Sequence, residues 1–329
     1  LAGWTIIGSP TMSGIFAPIS STASLSLPHW DVTQAKSLTG LLNGFTSLSS
    51  LDLSGWRASS SAPLSDMFGG SRVSSLDLSG CAAADARLVL AGLRRGGSPS
   101  ALSSLSLEGV DASGAADLSS MFKGLSGLTS LGVSGWDTSS ATDLSSMFEG
   151  CSSLESLDLS GWDTSSATSM ASMFSGCSSL GSIALPSWTA SGDLSYMFSG
   201  CSSLESLDLS GWDTSAATSM AGTFYGCSSL ASLDVSGWDA SGVTAFAAGD
   251  YVSYPDSYFS SRAGTFRGCS SLKSLDLSGW GVSSGARDLS GMFGGCTSLE
   301  SLDLSGWDVS GATSMAYMLY DCKSLSSLG

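Results

Sequence analysis

The 329-residue chain is short of charge, and above all of positive charge. Charged side chains make up 12% of it, with 28 acidic against 12 basic residues and a formal charge of −16. Phosphate binding needs clustered Lys and Arg. The one dense basic group is Arg94–Arg95 with Arg87 nearby, so nucleic acid is excluded as a partner. There is one histidine, His29, set between Pro28 and Trp30, and no Ser-His-Asp arrangement can be drawn around it. It stands at the glycine place of a Ser-Gly-Trp corner and reads as a corner residue. The glycine pair Gly96-Gly97 lacks the lysine and the strand-loop-helix setting of a phosphate loop. No enzyme is expected, and no cofactor. The sole asparagine, Asn43, is followed by Gly44-Phe45, so there is no N-glycosylation acceptor. No apolar run approaches the roughly 18 residues of a membrane span.

What is present is repetition. The stretch from Ser153 to Cys177 contains Leu157-Asp158-Leu159-Ser160-Gly161-Trp162-Asp163-Thr164 and then begins again. With tryptophan as the ruler, twelve units are marked by Trp4, Trp30, Trp56, Cys81, Val110, Trp136, Trp162, Trp188, Trp212, Trp238, Trp280 and Trp307, most of them 26 residues apart. Repetition at this period marks a solenoid, in which each unit buries its apolar face only against its neighbours. One α/β repeat solenoid over 1–329 is therefore expected, of about twelve coils.

Within a unit, Leu-Asp-Leu alternates with period two, as a strand with one buried face does. Leu157 and Leu159 point inward; Asp158 and Ser160 point out. Gly161 and Trp162 make a corner, and Asp163 to Ser166 supply side-chain oxygens for a turn or cap. Met170, Met173 and Phe174 follow at spacings of three and four, which predicts a short helix ended by Gly176. Two units break the rhythm. The unit of 82–110 holds a longer helical pattern with Leu88, Leu90 and Leu93. The unit between Trp238 and Trp280 carries an inserted loop near 247–260.

The motif Met-Phe-x-Gly-Cys-Ser-Ser-Leu-x-Ser-Leu-Asp-Leu-Ser-Gly-Trp-Asp-Thr-Ser resembles the 26-residue repeat of BspA-like bacterial surface proteins, a branch of the leucine-rich repeats. The resemblance covers nearly the whole chain. It implies a right-handed superhelix with a parallel sheet on one face and short helices or turns on the other. It also implies an extracellular or cell-surface location and a role in adhesion or surface architecture.

Several columns arise from the repeat. Cys151, Cys177, Cys201, Cys227, Cys269, Cys296 and Cys322 hold one position in seven consecutive units. Stacked coils lie about 4.8 Å apart, inside the roughly 4.4–6.8 Å a disulfide spans. The same place elsewhere holds Ile19, Phe45 and Leu125, which are plain hydrophobes. The column is either a ladder of buried thiols or a partly bridged one. No histidine joins it, which argues against metal. Asp52, Asp77, Asp158, Asp208, Asp234, Asp276 and Asp303 line the outer sheet face, either screened by solvent or neutralised by a hard cation such as Ca²⁺. Gly132 and Ala184 interrupt that line, so no continuous metal rail is expected. The tryptophan column reads as packing, with sugar stacking as its alternative. Thr138, Thr164 and Thr214 form a partial column that an ice-binding surface would need unbroken.

The candidate binding residues are Tyr251, Tyr254, Tyr258 and Phe259, clustered in the inserted loop around Pro255. Tyrosine offers a large area and a polar tip at small entropic cost. Either these rings meet a partner or they cover their own coil. The expected function is that of a structural repeat protein in a surface layer, fibre or appendage; a binding module for a protein or glycan is the alternative. The last residues, Ser324 to Gly329, continue in register into Leu1-Ala2-Gly3-Trp4, so self-association end to end is a further expectation.

Overall fold

The computed structural model describes residue 8 and residues 10–16, 19–59, 63–248 and 263–329. It is a solenoid of about eleven turns. The twelfth sequence marker, Trp4, lies outside the described residues. Ser24–Ser26, Ser50–Asp52, Ser75–Asp77 and Ser104–Ser106 pair in parallel, with Leu25, Leu51, Leu76 and Leu105 in register. Further along, Ser156–Asp158 pairs with Ser182–Ala184, Ser206–Asp208 with Ser232–Asp234, and Ser301–Leu302 with Ser327–Leu328. The sheet is thus segmented. One break falls at Gly132, which brings no side chain to the pleat. Another follows Ala184, where Pro186 brings no N–H.

Two more parallel ladders give each coil three sides. Past the tryptophan corner, Asp31–Val32 pairs with Arg57–Ala58. On the third side single bridges join Asp117 to Asp143, Asp143 to Ser169, and Ser169 to Asp193.

The third corner is where sequence and structure part. The expected helix around Met170, Met173 and Phe174 is absent; two tight turns stand in its place. Ser172 has φ 58° and Gly176 φ 74°, and a left-handed residue ends any right-handed helix. Ser120, Ser146, Tyr196 and Tyr317 repeat that conformation at the position of Ser172. The compensation is intermolecular in style though within one chain. Each turn donates N–H groups to the next coil, as Phe122 does to Met147, Phe148 to Met173, Phe174 to Met197 and Phe198 to Thr223, all at 2.8 Å. The methionines and phenylalanine still point inward, because two four-residue turns bring the same side chains to the core as a helical spacing would.

Among the described residues one α-helix forms, at Ala83–Gly96, in the unit that breaks the sequence rhythm. Leu90 and Leu93 are buried and Leu88 is half-buried. Asp85 sits in its first turn and Arg94 and Arg95 in its last, matching the helix dipole. The coil between Trp188 and Trp212 is short by two residues, and the chain turns there at Gly192, φ 70°. A Cβ at Gly192 would collide with the Thr168 carbonyl of the preceding coil, so no other residue fits.

The core consists of stacked columns. Phe122, Phe148, Phe174, Phe198, Phe224, Phe266 and Phe293 lie ring on ring with centroids 5.2–5.7 Å apart. Trp188, Trp212, Trp238, Trp280 and Trp307 form a second stack at 5.1–6.4 Å. The insertion does not interrupt either stack. Ala247–Ala248 and Ala263–Gly264 run antiparallel, so the chain leaves and returns at one point. Phe224 and Phe266 then stack as if consecutive.

Candidate functional site

The acidic columns are explained by turn chemistry. On the sheet face the Oδ1 atoms of Asp52, Asp77, Asp158, Asp208, Asp234, Asp276 and Asp303 accept the N–H two residues on, at 2.9–3.0 Å. Asp111, Asp137, Asp163, Asp213, Asp239 and Asp308 do the same after the tryptophan corner. Asp117, Asp143, Asp193 and Asp288 repeat it at the third side. A short side chain that bonds its own backbone is what a tight corner selects. These bonds hold the carboxyls of Asp158, Asp208 and Asp213 below the usual carboxylate range. Among the described residues no three ligating side chains converge as a metal would require.

The cysteine column is made of free thiols. Cys151, Cys177, Cys201, Cys227, Cys269, Cys296 and Cys322 each donate from Sγ to a phenylalanine carbonyl of the preceding coil, at 3.1–3.2 Å. Burial pushes Cys151, Cys227 and Cys296 up to about 12, so they stay protonated and unreactive. Phe45 and Leu125 are buried at the same place, while Ile19, at the first described turn, is exposed. The indoles of Trp162, Trp238 and Trp280 donate to backbone carbonyls one coil back. Cys81, at a tryptophan position, donates its thiol to the equivalent carbonyl of Leu53. Both columns are therefore packing. Thr138, Thr164 and Thr214 are buried and donate to carbonyls of the next coil, which removes them from any outer surface. His29 has φ 54° and covers Gly55 at the first corner of its coil.

Tyr251, Tyr254, Tyr258 and Phe259 lie outside the described residues. Other tyrosines, not singled out from the sequence, gather on the third corner. Tyr196 is half-buried; Tyr225, Tyr317 and Tyr320 are exposed. Burial raises the Tyr196 hydroxyl, and nearby Tyr225 adds to the shift. A Cβ at Gly222 would come within 2.8 Å of the Tyr196 ring and 3.1 Å of Ala263, so the base of the insertion adjoins this group. Tyr317 and Tyr320 meet edge to face at 6.0 Å. Their corner carries a column one residue past the phenylalanines: Lys123, Glu149, Ser175, Ser199, Tyr225, Arg267, Gly294 and Tyr320. Early in the column Lys123 and Glu149 pair at 2.7 Å. Later, Tyr225 and Tyr320 bound a cleft of about 240 Å³ that contains Arg267 and Asp321 and has Gly268 and Gly294 in its wall.

A family model described as "Mycoplasma protein of unknown function, DUF285" matches residues 2–84, 100–192, 181–249 and 257–328. The unmatched stretches fall on the helical unit and on the insertion. No curated protein matches the chain significantly. Among solved structures it is similar to the protein of a TLR13–ssRNA13 complex, with TM-score 0.37, 17% identity and coverage of 97% of this chain and 48% of that one. The chain thus spans about half the length of that protein. An internalin from Listeria monocytogenes gives TM-score 0.30 and 16% identity over 95% of this chain and 88% of that one. A leucine-rich repeat protein from Bacteroides ovatus gives 0.23 and 16% over 96% and 75%.

Proposed function

The chain belongs to the DUF285 family, whose model it matches over most of its length, and from that premise we propose that it is a BspA-like repeat protein of the cell exterior, a structural element of a surface layer, fibre or appendage. The observation that carries this reading is the stacking of coil on coil through the described residues. Phenylalanine, tryptophan and thiol columns run side by side, and backbone bonds join the turns between them. Such a body is extended by adding coils, since each coil buries its apolar face only against its neighbours. Its outer faces carry Ser, Asp and Gly, which suit a hydrated surface. Antibodies to the chain should label intact cells that produce it, and the labelled material should appear in ordered arrays or fibres by electron microscopy. Labelling that requires permeabilised cells would overturn the reading.

A second reading, a binding module for a protein or glycan, is favoured by one observation. Tyrosine side chains stand exposed together on one corner, while the other aromatic side chains among the described residues are largely core. Aromatic rings with polar tips are the usual anchors of recognition surfaces.

A further inference from the structure

We propose that the helical coil is a joint in the solenoid, and that Arg87 and Arg94 are the clamps that hold it closed. The inference goes beyond the reading of the protein as a surface element, and it holds wherever the protein is displayed.

The need for a clamp follows from the helix itself. On the third side of an ordinary junction, four backbone N–H groups of one coil bond four carbonyls of the next. Leu38, Gly40, Leu42 and Gly44 donate in this way to Pro63, Ser65, Met67 and Gly69. Leu118, Ser120, Phe122 and Gly124 donate to Asp143, Ser145, Met147 and Glu149. An α-helix uses these groups internally, each N–H bonding the carbonyl four residues back. Beyond its first turn, Ala83–Gly96 therefore has no backbone N–H to offer the coil that follows. In that coil Asp117, Ser119, Met121 and Lys123 hold the acceptor places that Asp143, Ser145, Met147 and Glu149 hold one coil later.

Side chains take over at this junction. Arg87 donates from Nε to the Ser119 carbonyl at 2.9 Å and from Nη2 to Ser119 Oγ at 3.1 Å, and it pairs with Asp117 at 2.8 Å. Arg94 donates from Nη1 to the Met121 carbonyl at 2.9 Å. The two arginines are seven residues apart, about two helical turns, so both leave the helix on one face. Toward the preceding coil an acceptor is replaced in the same manner. The Ala58 N–H donates to Oδ1 of Asp85 at 3.0 Å, whereas Ala190, at the same place in a regular coil, donates to the Asp213 carbonyl. The aromatic core is interrupted here as well. The phenylalanine stack runs from Phe122 onward, and Phe68 before it packs on Gly92, where a Cβ would come within 3.3 Å of the ring. Cys81 and Val110 hold the tryptophan place in this coil and the next. Backbone pairing continues on the other two sides, through Ser75–Asp77 with Ser104–Ser106 and through Cys81 and Ala83 with Asp111. The junction keeps two sides of backbone, and its third side depends on two guanidinium groups.

Such a joint opens when the guanidinium groups leave their carbonyls, with the coils on either side still folded. Calorimetric melts of the full chain, together with hydrogen exchange read by mass spectrometry, test this. The chain with both arginines should melt in one transition. The double variant Arg87→Ala/Arg94→Ala should melt in two, and the coils before the joint should open first because the shorter run has fewer interfaces. At a temperature between the two transitions, peptides before residue 97 should be fully exchanged and those after residue 104 still protected. Arg95→Ala, an exposed neighbour in the same helical turn, should melt within about 2 °C of the parent. Lysine separates the two clamps. It is a point donor without the planar fork, so it can serve the single carbonyl of Arg94 but not the three oxygen partners of Arg87. Arg87→Lys should therefore lower the transition more than Arg94→Lys, and this comparison decides the matter if the double variant does not fold. A double variant that melts in a single transition overturns the joint, as does one whose exchange boundary falls elsewhere in the chain. A loss no larger for Arg87→Lys than for Arg94→Lys overturns the clamp assignment.

Discussion

Leu159→Asp is expected to unfold the middle of the solenoid. Leu159 is fully buried, and its N–H bonds the Ala184 carbonyl of the next coil at 2.9 Å. Its column holds Leu53, Leu78, Val133 and Leu209, so a carboxylate would have apolar neighbours above and below. The loss of burial removes about 2–3 kcal/mol. Placing an unpaired polar group there adds about 1–3 kcal/mol by the scale of other protein mutations. The sum lies in the range reserved for core disruption. Ser160→Asp, one residue on, is the matched control. Ser160 is exposed, and its N–H keeps its bond to Asp158. That change should cost under about 1 kcal/mol, as surface substitutions do. Thermal and urea denaturation of the two variants decides the strand phase. A larger loss for Ser160→Asp would mean that the inward and outward residues have been exchanged.

Phe198→Ala is expected to cost about 3–5 kcal/mol and to change the shape of the unfolding transition. Phe198 is buried between Phe174 at 5.2 Å and Phe224 at 5.7 Å, with Trp212 tilted against it at 6.3 Å. In a stack where each coil touches only its neighbours, a lost contact weakens one interface rather than the whole. The parent chain should melt as one unit, and the variant should melt in two steps divided near this coil. Hydrogen exchange would then rise first in the coils flanking residue 198. A single transition within about 2 °C of the parent's would show that the aromatic stack does not carry the coupling; a full loss of the contact should shift it further in a chain of this length.

Much of this architecture is legible in the sequence because burial and period coincide. Leu157, Leu159 and Trp162 recur with the alternation of a one-faced strand and its corner, and the structure buries all three. The third corner is not legible in the same way. Met170, Met173 and Phe174 have helical spacing, yet Ser172 and Gly176 adopt left-handed conformations. Serine carries little signal for that conformation. Glycine at the same place, as in Gly222 and Gly291, and aspartate at Asp66 are the hints. The aspartate columns suggest cation binding until the backbone bonds two residues on are seen. Those bonds are local, and Asp before Ser in a corner is their signature.

The tyrosine corner escapes a linear reading because its members are far apart in the chain. The repeat itself recovers it. Tyr225 follows Trp212 by thirteen residues and Tyr320 follows Trp307 by thirteen, so both fall on one column when the coils are aligned. Tyr196 and Tyr317 share another column once the two-residue deletion at Gly192 is counted. In a solenoid, proximity is set by position within the unit, and a cluster must be sought down the columns rather than along the chain.

The central claim is that the coils stack in one register, with the thiol column sealed inside. Titration of the eight cysteines with Ellman's reagent, without reductant, tests it directly. Seven of the eight are buried and Cys322 is half-buried. In the native chain Cys322 alone should react within minutes, slowly and incompletely, since burial raises its pKa as well. In guanidinium chloride all eight should react at once. Fewer than eight after denaturation would reveal disulfides between coils. Rapid reaction of several thiols in the native chain would place the column on the surface and contradict the stacking register.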